Sequence, residues 1–375
     1  MLFYFNNLSF GLILFLVTAR VLVFCSYYME SEINIIYFVV VLIIFVGRMF
    51  FLNFSSNVFS ILLRWDVLGI SRFFLVLFYN NWDRCSGAMN TVLTNRVGDY
   101  FLFLFFSLVF FSTYNFMFIC MFYYVIPLVL VLAGFTKRAL FPFRGWLPKA
   151  MRAPTPVRAL VHRSTLVTAG LILIINFSLL LFTKSVASYI LIIGLLTIFF
   201  SSLSALTEED MKKVVALSTL SQMGFSALTI GLGLRFVRLL HLLRHALFKR
   251  CLFMQVGFII HCSFGQQDGR NYYNLSNLPF YMQIQLLVTL FCLCGLIFSR
   301  GAVTKDYILE LFFFDFKGLI LGVLFFVGIF LTFGYSYRLW KRLFLSFKKV
   351  VNYNNGSYLF GRLSLVLIFL SILFL

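Results

Sequence analysis

Apolar runs of about 20 residues recur along the whole chain, each long enough to cross a bilayer as a helix. They fall near 8–29, 34–52, 57–80, 88–112, 115–137, 157–182, 187–206, 211–232, 236–262, 279–298, 318–340 and 358–375. Short polar links separate them: Glu30–Glu32, TEEDMKK, HCSFGQQDGRNYYNLSNLP and KRLFLSFKKVVNYNNGS. The pattern predicts an all-α polytopic membrane protein with about 12 transmembrane helices. The first run reads as a span rather than a cleavable signal or transit segment.

Two of the runs are interrupted. The first reaches Lys137, breaks over Pro142, Gly145 and Pro148, and restarts after Pro154 and Pro156 into a helix carrying His162. Proline removes a backbone donor and clashes with the preceding turn, so one unbroken helix is excluded. In hydrocarbon the freed backbone groups are tolerated only against buried protein or a hydrated cavity. The second run breaks near Gly301 and presents Lys305 followed by Asp306. An interruption beside a lysine in each half is the trace of a repeat-built transporter. Its plain alternative is a pair of ordinary loops between spans.

Charge is scarce and placed where it is costly. Charged residues make up 11% of the chain and hydrophobic ones 62%, against roughly a quarter charged in soluble proteins. Asp66 lies well inside an apolar run, where a carboxylate must be paired or hydrated. Arg96 and Asp99 stand three apart on one helix face, and a local ion pair is their plain reading. His241, His245 and Lys249 recur every four residues, which keeps them on one slowly rotating face. Zinc, a hydrated polar file and a structural histidine face all fit that spacing, but a third metal ligand is missing. The seven cysteines lack metal-type pairing and read as small buried hydrophobes. Neither an iron–sulfur framework nor a dinucleotide fingerprint is present, so no cofactor is assigned to this chain. The net charge of +19 does not signal nucleic acid, because the arginines are scattered through the spans. The 52 phenylalanines point to a T-rich, organelle-type genome.

The stretches RWDVLG, NRVGDYF, FPFRGWLPKAMRAPTPVRALVHRSTLVTAG, DMKKVVALSTLSQMGF, HLLRHALFKRCLFMQVG and SRGAVTKD carry a resemblance. Together they resemble the antiporter-like membrane subunits of respiratory NADH–ubiquinone oxidoreductase (complex I). NRVGD and the lysine in the second broken helix favour the chain-5 type over chain 4, which has a glutamate there. The match covers roughly residues 8–340.

The resemblance implies a partial N-terminal segment (1–33), two inverted five-helix repeats (34–182 and 183–340), each with a discontinuous helix, and a polar loop with a last helix (341–375). It implies a proton relay. Asp66 stands where the family has a glutamate paired with the first-channel lysine, and Lys137 matches that lysine. His162 matches the adjoining relay, Lys249 the central-axis lysine, and Lys305 with Asp306 the distal exit. Asp99, His241 and His245 match polar-axis positions. The implied partners are other complex I membrane subunits, especially chain 4, and membrane lipid, in the mitochondrial inner membrane. NAD, FMN, iron–sulfur clusters and ubiquinone fall to partner subunits.

The family's first two helices, its last helices and its lateral helix have no counterpart in the chain, so a partial or shortened subunit is expected. The same scaffold also serves cation/proton antiporters, and a structural subunit is the plainest alternative. The chemistry expected is electrostatic. Burial disfavours the ammonium and a nearby carboxylate favours it, so movement of Asp66 relative to Lys137 would bind or release a proton.

Nine arginines (Arg72, Arg84, Arg138, Arg144, Arg158, Arg163, Arg244, Arg250 and Arg300) stand where the family has serine or another small residue. Arg96 keeps the family's own arginine. The expectation is that these nine are serines in the working protein, encoded by AGA or AGG in a mitochondrial code that reads those codons as serine.

Overall fold

The computed structural model describes residues 2–344 apart from 31, 56, 80, 115–124, 152, 161–168, 171–172, 175–176, 178–183, 264, 273–279, 297–299 and 315–318. Among the described residues the chain is helical and contains no strand. It begins with α1 (Leu2–Tyr28), α2 (Ile35–Asn53), α3 (Val58–Val76), α4 (Trp82–Tyr114) and α5 (Val125–Arg138). Two short helices follow, α6 (Trp146–Ala150) and α7 (Thr155–Leu160). Then come α8 (Lys184–Thr207), α9 (Met211–Gly231), α10 (Arg235–Cys262), α11 (Phe280–Cys294), α12 (Arg300–Phe314) and α13 (Leu319–Phe344). Seven helical segments among them are long and apolar enough to cross a membrane. Helix α3 is 19 residues long but carries Arg64, Asp66 and Arg72.

Both expected interruptions are present, with altered detail. Helix α5 ends at Arg138, Ala139 takes a positive φ of 55°, and the Phe141–Pro142 bond is cis. Pro148 and Pro156 do not break anything. They sit in the first turns of α6 and α7, where the missing N–H would have had no intrahelical partner. The second break lies earlier than Gly301. Helix α11 stops at Cys294, Gly295 adopts φ 73°, and the chain is helical again from Arg300. A left-handed residue just past a helix end is the usual place for glycine, and Gly301 falls inside the first turn of α12.

The core is organised around α9. Every residue of this helix except Lys213 is buried, although it carries Ser218, Thr219, Ser221, Gln222, Ser226 and Thr229. Its serines spend their protons within the helix: Ser218 donates to Val215 O at 2.7 Å and Ser226 to Met223 O at 2.7 Å. Back-bonding of this kind satisfies a hydroxyl in an apolar setting and leaves its lone pairs free to accept. Helix α8 packs closely along α9. The peripheral helices show the opposite pattern: α2 exposes Ile36, Val40, Ile43 and Phe51, and α13 exposes Ile320, Val323, Phe326 and Phe330. Apolar faces of this kind suit a lipid environment.

At the membrane surface the TEEDMKK link divides its lysines. Lys213 pairs with Asp210 at 2.6 Å and Glu208 at 3.8 Å, whereas Lys212 turns inward and is buried. Arg270 pairs with Glu209 at 2.5 Å and Asp268 at 3.1 Å, and its hydrogen bond and charge contact with Asp268, then Glu209, push its guanidinium above the usual range.

The α8–α9 packing makes a direct prediction. A Cβ at Gly224 would lie 2.5 Å from Ile198 Cγ1 and 3.0 Å from Gly194 O, while one at Gly47 would meet nothing within 4 Å. Gly224→Val should therefore lower the thermal unfolding temperature in detergent by an amount equivalent to about 1–3 kcal/mol of overpacking. Gly47→Ala should leave that temperature unchanged or raise it slightly.

Candidate functional site: a buried polar axis

The first cluster joins α3, α4 and α5. Lys137, in the last turn of α5, is 1% exposed. Its ammonium lies 3.5 Å from Asp99 Oδ1 on α4 and sits over the Trp65 ring at 4.8 Å. Asp99 is itself buried, and Trp65 Nε1 donates to Asp99 Oδ1 at 2.9 Å, fixing that carboxylate from the α3 side. Helices α4 and α5 approach this closely because residue 98 is glycine: a Cβ there would fall 2.0 Å from Thr136 Oγ1.

The lysine's ion-pair partner is therefore Asp99, where the resemblance had pointed to Asp66. Asp66 instead meets Arg96, at 3.4 Å, and Arg96 also reaches Asp99 Oδ2 at 3.5 Å. The side chains of Asp66 and Arg96 remain 36% and 50% exposed. Asp66 is thus a second, more distant carboxylate of the same cluster, linked to Asp99 through Arg96. The reason is register: on α3, Trp65 rather than Asp66 turns toward the lysine. Asp66, Asn95, Arg96 and Asp99 line a cavity of 160 Å³ between α3 and α4.

The second cluster joins α9, α10 and α12. Lys249 is fully buried and donates to Ser218 Oγ. One and two turns earlier on α10 come His245 and His241, whose rings lie 6.3 Å apart and nearly parallel. His241 Nε2 lies 3.3 Å from Gln222 O and Nδ1 lies 3.2 Å from Thr304 Oγ1. A carbonyl can only accept, so Nε2 carries a proton towards Gln222 O, while the Thr304 hydroxyl that faces Nδ1 also donates to Gly301 O at 3.3 Å. Among the described residues no group of three or more His, Cys, Asp or Glu side chains could hold a metal ion.

The third cluster lies at the second break. Lys305, 5% exposed, donates to Cys294 O at 2.7 Å and Leu293 O at 3.2 Å, and reaches Thr332 Oγ1 at 3.5 Å. The ammonium so satisfies the last carbonyls of α11, a favourable position for a cation at a helix C-terminus. Asp306, by contrast, is exposed. His162 lies outside the described residues.

Arg138 joins the halves, donating to Ser226 Oγ at 2.9 Å. Helix α9 is thus the common element, holding Arg138, Lys249 and His241 through Ser226, Ser218 and the Gln222 carbonyl. Sequence reading missed these α9 acceptors. Their signal was present as polar residues three or four apart within an otherwise apolar run.

The chain's relatives match this architecture. A family model described as "NADH:quinone oxidoreductase/Mrp antiporter, TM" matches residues 55–332. The chain belongs to this antiporter-like membrane family. It is 65% identical over 373 residues to NADH-ubiquinone oxidoreductase chain 5 of Caenorhabditis elegans, covering 100% of this chain and 71% of that one. It is 62% identical over 372 residues to the chain 5 of Ascaris suum, covering 99% and 68%. Among solved structures, a chain of the Mrp complex from a Dietzia species superposes with a TM-score of 0.85 at 26% identity, covering 97% of this chain and 42% of that one. A chain of an archaeal membrane-bound sulfane sulfur reductase superposes at 0.83, covering 97% and 79%; at 19% identity it shows the fold alone.

The geometry separates the two aspartates. Asp99→Asn should cost about 3–5 kcal/mol, because it strips a buried ammonium of its counter-charge. Asp66→Asn, at a partly exposed pair, should cost less than about 1 kcal/mol. Thermal unfolding of the two variants in the same detergent checks the order.

Proposed function

We propose that this chain is a proton-translocating membrane-arm subunit of a mitochondrial inner-membrane NADH:ubiquinone oxidoreductase, working without a redox centre of its own. The observation that carries the proposal is Lys137: an ammonium 1% exposed, at the end of an interrupted helix, against a single buried carboxylate. A lysine can release its proton where an arginine cannot, and the strength of its pairing with Asp99 sets whether it does. At an effective dielectric of about 20, a charge pair 4 Å apart interacts by about 4 kcal/mol. Lengthening the Lys137–Asp99 distance by a few ångströms would therefore change the lysine's proton affinity by more than tenfold. Arg96 makes that lengthening controllable, because it can hold Asp99 while also holding Asp66. From Lys137 the proton moves along the α9 face to Lys249 and on past His245 and His241, with bridging waters where groups lie beyond hydrogen-bond reach. Lys305 is the distal station. Neighbouring membrane subunits, chain 4 among them, and lipid cover the apolar flanks. The two broken helices, with Lys137 before one break and Lys305 after the other, support the two-repeat organisation.

The proposal is tested by proton-to-electron stoichiometry in the assembled complex. Asp99→Asn should lower it markedly, and Asp66→Asn should lower it less. Equal, normal stoichiometry in both variants overturns the relay.

Four arginines fit this function poorly. Arg72, Arg138, Arg158 and Arg250 are 0–2% exposed, and in each the Nε and Nη1 atoms lack a hydrogen-bond partner. A buried ion without full pairing costs several kcal/mol, so four of them would exceed the roughly 5–15 kcal/mol by which proteins are stable. Arg72 would also place a fixed cation close enough to act on the lysine that must bind and lose a proton. We propose that the working protein carries serine at these positions. The coding DNA should show AGA or AGG at each, and peptide mass spectrometry of the native protein should read serine at 138 and 158. CGN codons there would contradict the proposal.

A further inference from the structure

Helix α13 has no role in the relay described so far, yet its inward face carries a polar patch among buried apolar residues. Thr332, Tyr335 and Ser336 are 0–1% exposed. Tyr335 places its hydroxyl 3.1 Å from Ser221 Oγ on α9. Ser221 already donates to Ser218 O at 3.0 Å, so in this arrangement the phenol is the donor and the serine the acceptor. One turn back along α9 is Ser218, the acceptor of the Lys249 ammonium. One turn back along α13 is Thr332, whose Oγ1 lies 3.5 Å from Lys305 Nζ.

We infer that Tyr335 is a relay residue joining the two buried lysines of the second half, with Ser218 and Ser221 on the Lys249 side and Thr332 on the Lys305 side. The inference rests on the proton-translocating reading above. A hydroxyl relay needs no net chemistry of its own. Tyr335 passes its proton to the acceptor on one side as it takes one from the other, and it recovers its starting state by rotation of the O–H bond. The route relies on water to bridge the two helical turns, Ser218 to Ser221 and Tyr335 to Thr332. A histidine route along α10 leads from Lys249 to His241 and so to Thr304, in the turn preceding Lys305. The α13 route runs separately, on the other side of Lys305, and gives the second half two ways to the same lysine.

The competing role is mechanical. A buried tyrosine often anchors one helix to another by its hydroxyl. The two roles are separated by measuring protons moved per electron pair, in complex that has assembled, for Tyr335→Phe, Thr332→Val and Lys249→Ala. Tyr335→Phe keeps the ring and removes only the hydroxyl. If Tyr335 is a relay, Tyr335→Phe and Thr332→Val should each lower stoichiometry in normally assembled complex. The slowed step should be at least about tenfold slower, in line with the loss of a positioned proton-transfer group. A purely mechanical tyrosine would instead reduce the amount of assembled complex while each assembled copy pumps normally. That outcome overturns the inference. Lys249→Ala distinguishes the levels of failure. If it lowers stoichiometry while Tyr335→Phe does not, the α13 route alone is wrong. If Lys249→Ala also pumps normally, the central-axis reading falls and the inference falls with it.

Discussion

The contact on which the rest depends is the buried pair of Lys137 and Asp99. An ammonium that is 1% exposed in a membrane helix must be compensated, and here a buried carboxylate does it. Gly98 lets α4 come close to α5, and Trp65 holds the carboxylate from α3. Arg96 then ties this pair to the more exposed Asp66. The result is a charge arrangement with one buried and one accessible carboxylate, sharing a permanent cation between them.

Helix α9 extends that constraint across the molecule. A helix buried on all sides should be apolar throughout, yet this one carries hydroxyls and an amide at regular intervals. Ser221 and Ser218 donate to the helix's own backbone and accept from a group on another helix, Tyr335 at Ser221 and Lys249 at Ser218. A hydroxyl and a cation of two other helices are therefore registered against one rod, and Ser226 accepts in the same way from residue 138 where that is arginine.

Much of this was legible in the chain itself. Runs of apolar residues long enough for a bilayer, two interruptions and a lysine beside each are one-dimensional features. Among the described residues the structure has both interruptions and seven of about 12 expected spans as long apolar helices. The run at 358–375 lies outside them. What was not legible depends on rotation and depth. Asp66 and Asp99 are both acids one helix away from Lys137, and only the α4–α5 approach at Gly98 decides that Asp99 meets it. Gly301 looked like the second break, but the positive φ falls at Gly295, a distinction that no residue count makes. Ser218, Ser221 and Ser226 are common residues in membrane helices, and their importance comes from what faces them. The adjacent residues Lys305 and Asp306 suggested a pair, yet successive helical residues point about 100° apart, so one is buried and the other exposed.

The central claim is that Lys137 is a proton carrier and not only a structural cation. The most direct test is the number of protons moved per electron pair by assembled complex bearing Lys137→Ala or Lys137→Arg. The account predicts a large fall in both, with arginine failing despite keeping the positive charge, because a guanidinium does not release its proton. Normal stoichiometry in the arginine variant would contradict it, since a fixed cation would then be enough.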